Sequence, residues 1–375
     1  MSGKKQMPRI LYYSLDSILQ RNAQYNIIFG ERSNGKTYAV LKYGVENYIR
    51  TGKQIALVRR FIEDIRGKRG DVLFNALSAN GEIEKMTKGR YTFIKHVNRR
   101  FYLAYRDEDL GKDVCDSTPL GYSFALNEME HDKSTSYPDI TTIMFDEFLT
   151  RQVYLKDEFV TFMNVISTIV RNRDDVKIFM LGNTVNKYCP YFDEMGLKHI
   201  QYQKQGTIDL YEYGEKKLLK VAVEYCHSLN KSKPSNVYFA FDNPKLQMIK
   251  GGVWEMAMYP HCPVKYTPKQ VVLTYFIIFD GNILQCEVVD TGNETFTFIH
   301  RKTTPIYDDD KDIIYSMEYS PKPNHVRRLS RPANKWQRKI AEYYALEKVF
   351  YQDNEVGEIV RNFVIQSSGD LLKYK

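Results

Sequence analysis

Residues 25–38 read Tyr-Asn-Ile-Ile-Phe-Gly-Glu-Arg-Ser-Asn-Gly-Lys-Thr-Tyr, and they constrain the possible folds more tightly than any other stretch. Gly30 to Thr37 match G-x-x-x-x-G-K-[ST] at every fixed position. The apolar run Ile27–Phe29 predicts a buried strand before the loop. Tyr38 to Ile49 can continue as a helix that Gly52 closes. Strand, glycine-bearing loop and helix together make a phosphate site. Successive backbone N–H groups turn inward, and the helix N-terminus adds positive potential. The candidate nucleotide-binding residues are therefore Gly30, Glu31, Arg32, Ser33, Asn34, Gly35, Lys36 and Thr37. Lys36 is expected on the β and γ phosphates, and the Thr37 hydroxyl on Mg²⁺. Glu31 is unusual because it brings a carboxylate close to phosphates. Its side chain is expected to point away, toward Arg32 or another cation.

A chain of 375 residues, 43% hydrophobic and 14% aromatic, can bury a large core as one big domain or two ordinary ones. The formal net charge of +8 leans toward a polyanionic partner, although an ordinary basic surface would give the same number. Five cysteines, none in a C-x-x-C pair, fit a reduced intracellular setting better than a disulfide framework. Cys226-His227 and His261-Cys262 match no usual zinc spacing. No run of 18 apolar residues occurs and no signal peptide opens the chain, so a membrane is not an expected partner.

Downstream, Gln54–Val58 predict a second strand ending on Arg59-Arg60. Residues 65–70 read as a basic loop, either simply solvated or contacting DNA phosphates through Arg66, Lys68 and Arg69. Residues 90–105 read as a hairpin and 112–138 as a polar connection. Thr142–Phe145 predict a buried strand with Asp146-Glu147 at its carboxyl end, where ligands of open α/β sheets bind. Asp146 is the candidate Mg²⁺ holder, and Glu147 the candidate acid that orients and deprotonates water. That second acid separates an ATPase from a simple nucleotide-binding fold. Asp157 is expected to cap a helix with an apolar face at Phe159, Phe162, Met163, Ile166, Ile169 and Val170. The helix ends in Arg171-Asn172-Arg173, where cations suit the helix dipole. An arginine finger offered to a neighbouring subunit is the sharper alternative for Arg171. After a strand over 176–181, Asn183 and Thr184 are candidate γ-phosphate sensors. Tyr13, Leu19 and Gln20 are candidates for a base pocket, with core packing as the alternative. Strands near 207–213 and 218–225 complete the first domain. From residue 268 a hairpin turning at Asp280-Gly281, a third strand, and helices near 336–350 and 355–364 follow.

The segments IIFGERSNGKTYA, QIALVRRF, DKSTSYPDITTIMFDEF, TIVRNRDDVKIFMLGN and NKYCPYF, in this order, resemble the DNA-packaging ATPase (encapsidation protein) of small picovirus-type podophages. The resemblance is dense over about residues 8–195. It implies an α/β P-loop NTPase of the additional-strand, catalytic-glutamate class with a RecA-like core over 1–228. A linker over 229–266 and a smaller α+β RNase H-like domain over 267–375 would follow. It implies ATP with Mg²⁺, and a homo-oligomeric, pentameric ring in the host cytoplasm. The ring docks on the portal of a prohead and pumps double-stranded DNA inward. Whether a packaging RNA joins ring to portal stays open. Arg171 falls on the family's trans-acting arginine, and Lys133 on an interface lysine that the resemblance places among the catalytic residues. The strand VVLTYFIIF carries no acid, so the C-terminal domain is expected to lack nuclease activity, as in the resembled family. The rival readings are a helicase or AAA-type remodelling ATPase, and a nucleotide-dependent assembly protein.

Overall fold

Ten strands form the sheet of the first unit: β1 (Tyr25–Gly30), β2 (Gln54–Arg59), β3 (Phe93–Val97), β4 (Arg100–Asp107), β5 (Lys112–Cys115), β6 (Gly121–Ala125), β7 (Ile140–Asp146), β8 (Lys177–Asn183), β9 (Thr207–Tyr213) and β10 (Leu219–Tyr225). The computed structural model describes residues 13–131, 136–150, 154–155, 157–184, 189–200, 202–227, 259–279, 281–303 and 308–368. It divides into two compact units, residues 1–255 and 256–375. Most of the expected linker over 229–266, and Asp280 of the expected turn, lie outside the described residues.

The strand order of the first sheet is β3-β4-β6-β2-β7-β8-β1-β10-β9, with β5 beside β4. From β6 to β10 every pairing is parallel. Such strands are buried on both faces and read as continuous apolar runs. Along β1, Tyr25, Ile27 and Phe29 join one core and Ile28 the other; along β8, Ile178 and Met180 oppose Phe179 and Leu181. Helix α2 (Lys36–Thr51), after the short α1 (Asp16–Leu19), covers one face through Val40, Leu41 and Val45. On this face lie also the short helices α3 (Lys68–Val72), α4 (Asn75–Ala79) and α5 (Glu82–Met86), with Leu77 and Ile83 in the core. The other face is covered by α6 (Glu158–Val170) and α7 (Pro190–Glu194) through Phe162, Val165, Ile166, Ile169 and Tyr191.

Three expectations change. Residues 112–138 are not a polar connection: β6 enters the parallel core beside β2, and Gly121 permits this because a Cβ there would stand 2.2 Å from the Ile55 carbonyl oxygen. The basic stretch 65–70 is a loop only to Gly67, after which α3 begins. Asp157 stands at the N-cap of α6 but in a left-handed conformation (φ 52°), and its side chain makes no cap hydrogen bond.

In the second unit β11 (Val271–Phe279), β12 (Asn282–Asp290) and β13 (Thr295–Arg301) form an antiparallel meander. Strand β14 (Ile313–Ser316) lies parallel to β11 on its far side, with β15 (His325–Val326) beyond it. Helices α8 (Lys335–Ala345) and α9 (Asn354–Ser368) follow. The expected helix over 336–350 stops at Ala345, because Val349–Tyr351 form β16 parallel to β13. Phe363 of α9 packs against Phe279 and Tyr315. No described helix is long and apolar enough to cross a membrane.

The β12–β13 pair carries a charged cluster. Glu287 accepts from Tyr266 (2.6 Å) and Gln285 (2.7 Å), and stands 3.5 Å from His300 Nε2. The His300 hydrogen bond is the main cause that pulls Glu287 down to about 2. Burial alone would lower His300, but the hydrogen bond to Glu287 outweighs it and the net shift is upward. The depressed carboxyl stabilises the fold above its ordinary 4.5 and loses that contribution as pH falls below it. The raised imidazole contributes fully below its ordinary 6.5 and loses that contribution as pH rises through its shifted value. The thermal midpoint of this unit is therefore expected to fall from about pH 6 to about pH 9, and Glu287→Gln is expected to flatten that dependence in a pH series of unfolding scans.

Candidate functional site

Strand β1 delivers the phosphate loop at the carboxyl edge of the sheet. Ser33 (φ 60°) and Gly35 (φ 92°) take left-handed conformations, which turn the loop back over the start of α2. The Asn34 carbonyl accepts from the Tyr13 N–H at 3.1 Å, and its side-chain oxygen accepts from the Lys36 N–H (3.3 Å) and Nζ (3.1 Å). Lys36 Nζ also donates to the Glu31 carbonyl at 2.7 Å and to Asn183 Oδ1 at 3.5 Å. Three neutral oxygens thus aim the ammonium over the loop without cancelling its charge. Burial lowers the Lys36 pKa, opposed by the electrostatic pull of Cys226, Asp146 and Glu31.

The second acidic strand stands one strand removed from the loop. β8 lies between β1 and β7, which is the added strand that defines the catalytic-glutamate class of P-loop ATPases. Its register sets Asn183 beside Gly30 and Leu181 beside Asp146. Thr37 Oγ1 donates to Asp146 Oδ1 at 3.3 Å, so two oxygen donors converge where a hard divalent cation fits. Burial raises the Asp146 pKa, Arg59 opposes the shift and Glu147 adds to it. A cavity of about 320 Å³ runs from Ser33–Tyr38 to Asp146, Glu147 and Asn183. An anionic ligand carrying a cation fits this set of an amide-lined loop, one ammonium and two oxygen donors.

The sequence model of the Podovirus DNA encapsidation protein (Gp16) family matches residues 7–212. The chain belongs to that family. It is 28% identical over 189 residues to the DNA packaging protein of Bacillus phage phi29, covering 50% of each chain. It is also 28% identical over 176 residues to that of Bacillus phage B103, covering 46% of this chain and 48% of the relative. The chain thus spans about half the length of the curated relatives it matches. Its fold resembles that of the bacteriophage Phi-29 viral genome packaging motor assembly, with a TM-score of 0.54, 19% identity, and 94% of this chain and 99% of the other covered. The Phi-28 gp11 DNA packaging motor has the same TM-score at 17% identity, with 97% and 98% covered.

Within this encapsidation-family site, two arginines carry more of the geometry than their sequence position alone suggests. Arg59 places one nitrogen 2.7 Å from Asp146 Oδ2 and another 2.7 Å from Glu147 Oε2. It is the site residue that sequence reasoning passed over. The available signal was a basic pair ending one buried strand and an acid pair ending another. Glu147 itself is exposed and adopts φ 61°. Arg60 turns the other way, into the α6 face, and pairs with buried Glu158 at 2.7 Å.

Other expected residues are distributed as follows. Asn183 lines the cavity. Thr184 is buried and its N–H donates to the Gly30 carbonyl at 3.0 Å. Tyr13 is buried with its hydroxyl on Glu224 at 2.5 Å, as core packing requires. Arg173 donates to the carbonyls of Pro138, Tyr137, Ile140 and Ile169, so the helix-end role belongs to it. Arg171 is exposed at the C-cap of α6 with φ 51°. Arg66, Lys68 and Arg69 are exposed and stand apart from the phosphate-loop cavity, with Arg69 on the Glu63 carbonyl. Lys133 lies outside the described residues.

Arg59 sits where a cation on Asp146 would meet like charge. Arg59→Met is expected to raise the affinity of the nucleotide-free protein for Mn²⁺ by about tenfold, consistent with removal of one nearby positive charge in a partly buried site. Calorimetric titration measures this, and unchanged affinity would show that the guanidinium does not compete for the site.

Proposed function

We propose that this chain is the ATPase of a phage DNA-packaging motor. It hydrolyses ATP in a homo-oligomeric, pentameric ring at the portal vertex of a prohead and drives double-stranded DNA inward. The observation that carries this is the Asp146–Glu147 pair, set beside Lys36 and Thr37 with one strand interposed between loop and acid strand. A module that only binds nucleotide has no need of the second acid. Membership in the encapsidation family, and the DNA-packaging names of the relatives, support the substrate.

In this mechanism the loop amides and Lys36 bind the phosphates, and Thr37 and Asp146 hold Mg²⁺. A cation held by these two residues would supply positive charge to the phosphates. Glu147 exchanges its ion pair with Arg59 for a hydrogen bond to water and takes the water proton as oxygen attacks the γ-phosphorus. The bond to the β–γ bridging oxygen breaks, and ADP leaves with that oxygen. Asn183, hydrogen-bonded to Lys36 and lining the cavity, is placed to sense the γ-phosphate. Arg171 of a neighbouring subunit neutralises the charge that develops, with Lys133 at the same interface. Hydrolysis then waits on a neighbour, which orders firing around a ring. Exposed cations, Arg66, Lys68 and Arg69 among them, grip DNA phosphates without reading sequence.

The second unit serves as a docking or nucleic-acid-binding platform without nuclease activity. β11 holds no acid, Glu287 is engaged by Tyr266, Gln285 and His300, and Asp308 and Asp309 pair with Lys311 and Lys322.

Steady-state ATP hydrolysis is expected to rise strongly with duplex DNA, and the stimulation to fade as salt increases. Strand separation during turnover would favour a helicase instead. Glu147→Gln is expected to lower kcat by at least about 10²-fold while nucleotide affinity stays within a few-fold. Arg171→Ala is expected to cost about 10³–10⁵ in rate. Mixing the two inactive variants should restore part of the activity, because each supplies what the other lacks. Absence of rescue would place the arginine in its own subunit's site.

A further inference from the structure

Arg60 is the most fully engaged guanidinium at the carboxyl edge of the sheet. Its Nε and Nη2 form a fork on Glu158 at 2.7 and 2.9 Å. The same group donates to two backbone carbonyls, Glu147 at 3.1 Å and Phe148 at 2.8 Å. Its plane lies 5.1 Å from the Tyr154 ring centroid. Glu158 is completed by the Leu155 N–H (2.7 Å) and the Tyr191 hydroxyl (2.8 Å). Charge, donors and acceptors are thus matched in a buried cluster, the condition under which buried ions are tolerated.

The two carbonyls belong to the bend that sets Glu147. That residue holds φ 61°, a conformation that a side chain other than glycine's adopts at a cost. Its carboxylate has one strong partner, Arg59, and is otherwise exposed. The bend is therefore fixed from the backbone side, by Arg60 below and by the Phe148 N–H on the Leu181 carbonyl at 3.1 Å. Glu158 opens α6, whose far end, about 20 Å away, carries Arg171.

We propose that Arg60 is a positioning residue for catalysis: it fixes the strained backbone of Glu147 and ties it to the helix that presents Arg171. This inference rests on the assignment of Glu147 as the water-activating acid. Because Arg60 acts on orientation and touches no substrate, its removal should lower kcat and leave nucleotide KM nearly unchanged. Misplacement by about 1 Å can lower a rate by about 10²-fold.

Removing Arg60 alone would strand Glu158 as a buried, unpaired charge, so the test replaces the pair. In Arg60→Met with Glu158→Leu, thermal midpoint and nucleotide affinity should stay near wild type while kcat falls by about 10- to 100-fold. A kcat within twofold of wild type in the folded double variant overturns the proposal. Arg60→Lys keeps the charge on Glu158 but lacks the planar fork needed for both carbonyls. It should lose the same rate, and wild-type kcat there would also overturn the proposal. Amide exchange at Phe148 and Leu149 gives a readout that needs no turnover. It should quicken in Arg60→Lys while exchange in the phosphate loop stays unchanged; unchanged exchange at these amides overturns the proposal whatever the turnover. An inactive wild type, or an active Glu147→Gln, would instead sink the assignment of Glu147 itself.

Discussion

Charge held at the carboxyl edge of a parallel sheet is the constraint on which this site depends. Asp146 and Arg60 are buried at this edge, so each needs a partner in the fold. Strand side chains alternate in direction, and the consecutive arginines at the end of β2 therefore part. Arg59 meets the side chains of Asp146 and Glu147; Arg60 meets the backbone carbonyls of Glu147 and Phe148 and the side chain of Glu158. Two adjacent residues thereby hold Glu147, one by its side chain and the other by its backbone. Register does the rest: Val58 pairs with Phe145, so the residues after each face one another.

The two arginines differ in what they permit. Arg59 is salt-linked to an exposed carboxylate, an interaction that water competes with and that exchanges readily. Arg60 is buried and makes four hydrogen bonds. Burial alone would lower its pKa, yet the hydrogen bond and charge of Glu158 outweigh that and raise it. One face of the site is thus built to release and the other to stay. In the proposed mechanism Glu147 turns toward water while its backbone stays in place, and that division serves both.

Much of this was legible in sequence where one local rule decides. The phosphate loop, the buried strands and the acid pair follow from spacing and apolar runs. Arg59 was hidden because its role depends on which strands are neighbours, and pairing in parallel sheets joins residues far apart in the chain. β6 was hidden for a related reason: Gly-Tyr-Ser-Phe-Ala is short and half polar, and only the space left by Gly121 beside Ile55 lets it join the core. At Asp157 propensity named the helix start correctly, but Glu158, already bonded to Leu155 N–H, took over the local role of accepting a backbone donor. Glu287 and His300, on adjacent strands of the second unit, meet through the β12–β13 register, which the spacing of their segments could not reveal.

The end of α6 shows how structure resolves what sequence leaves ambiguous. Arg171 and Arg173 both suit a helix C-terminus, and the dipole alone cannot choose between them. Arg173 donates to the Ile169 carbonyl in the last turn and to the Tyr137, Pro138 and Ile140 carbonyls at the strand entry, which ties the helix end to the start of β7. Arg171 is exposed at the C-cap of α6. It takes φ 51° and ψ −120°, a conformation that regular helix termination does not require. Strain of this kind persists where the surroundings enforce it and is concentrated at functional positions. The buried side of α6 is anchored to Glu147 through Glu158 and Arg60. The helix that carries the arginine is therefore braced against the segment that carries the acid, so the two ends cannot shift independently.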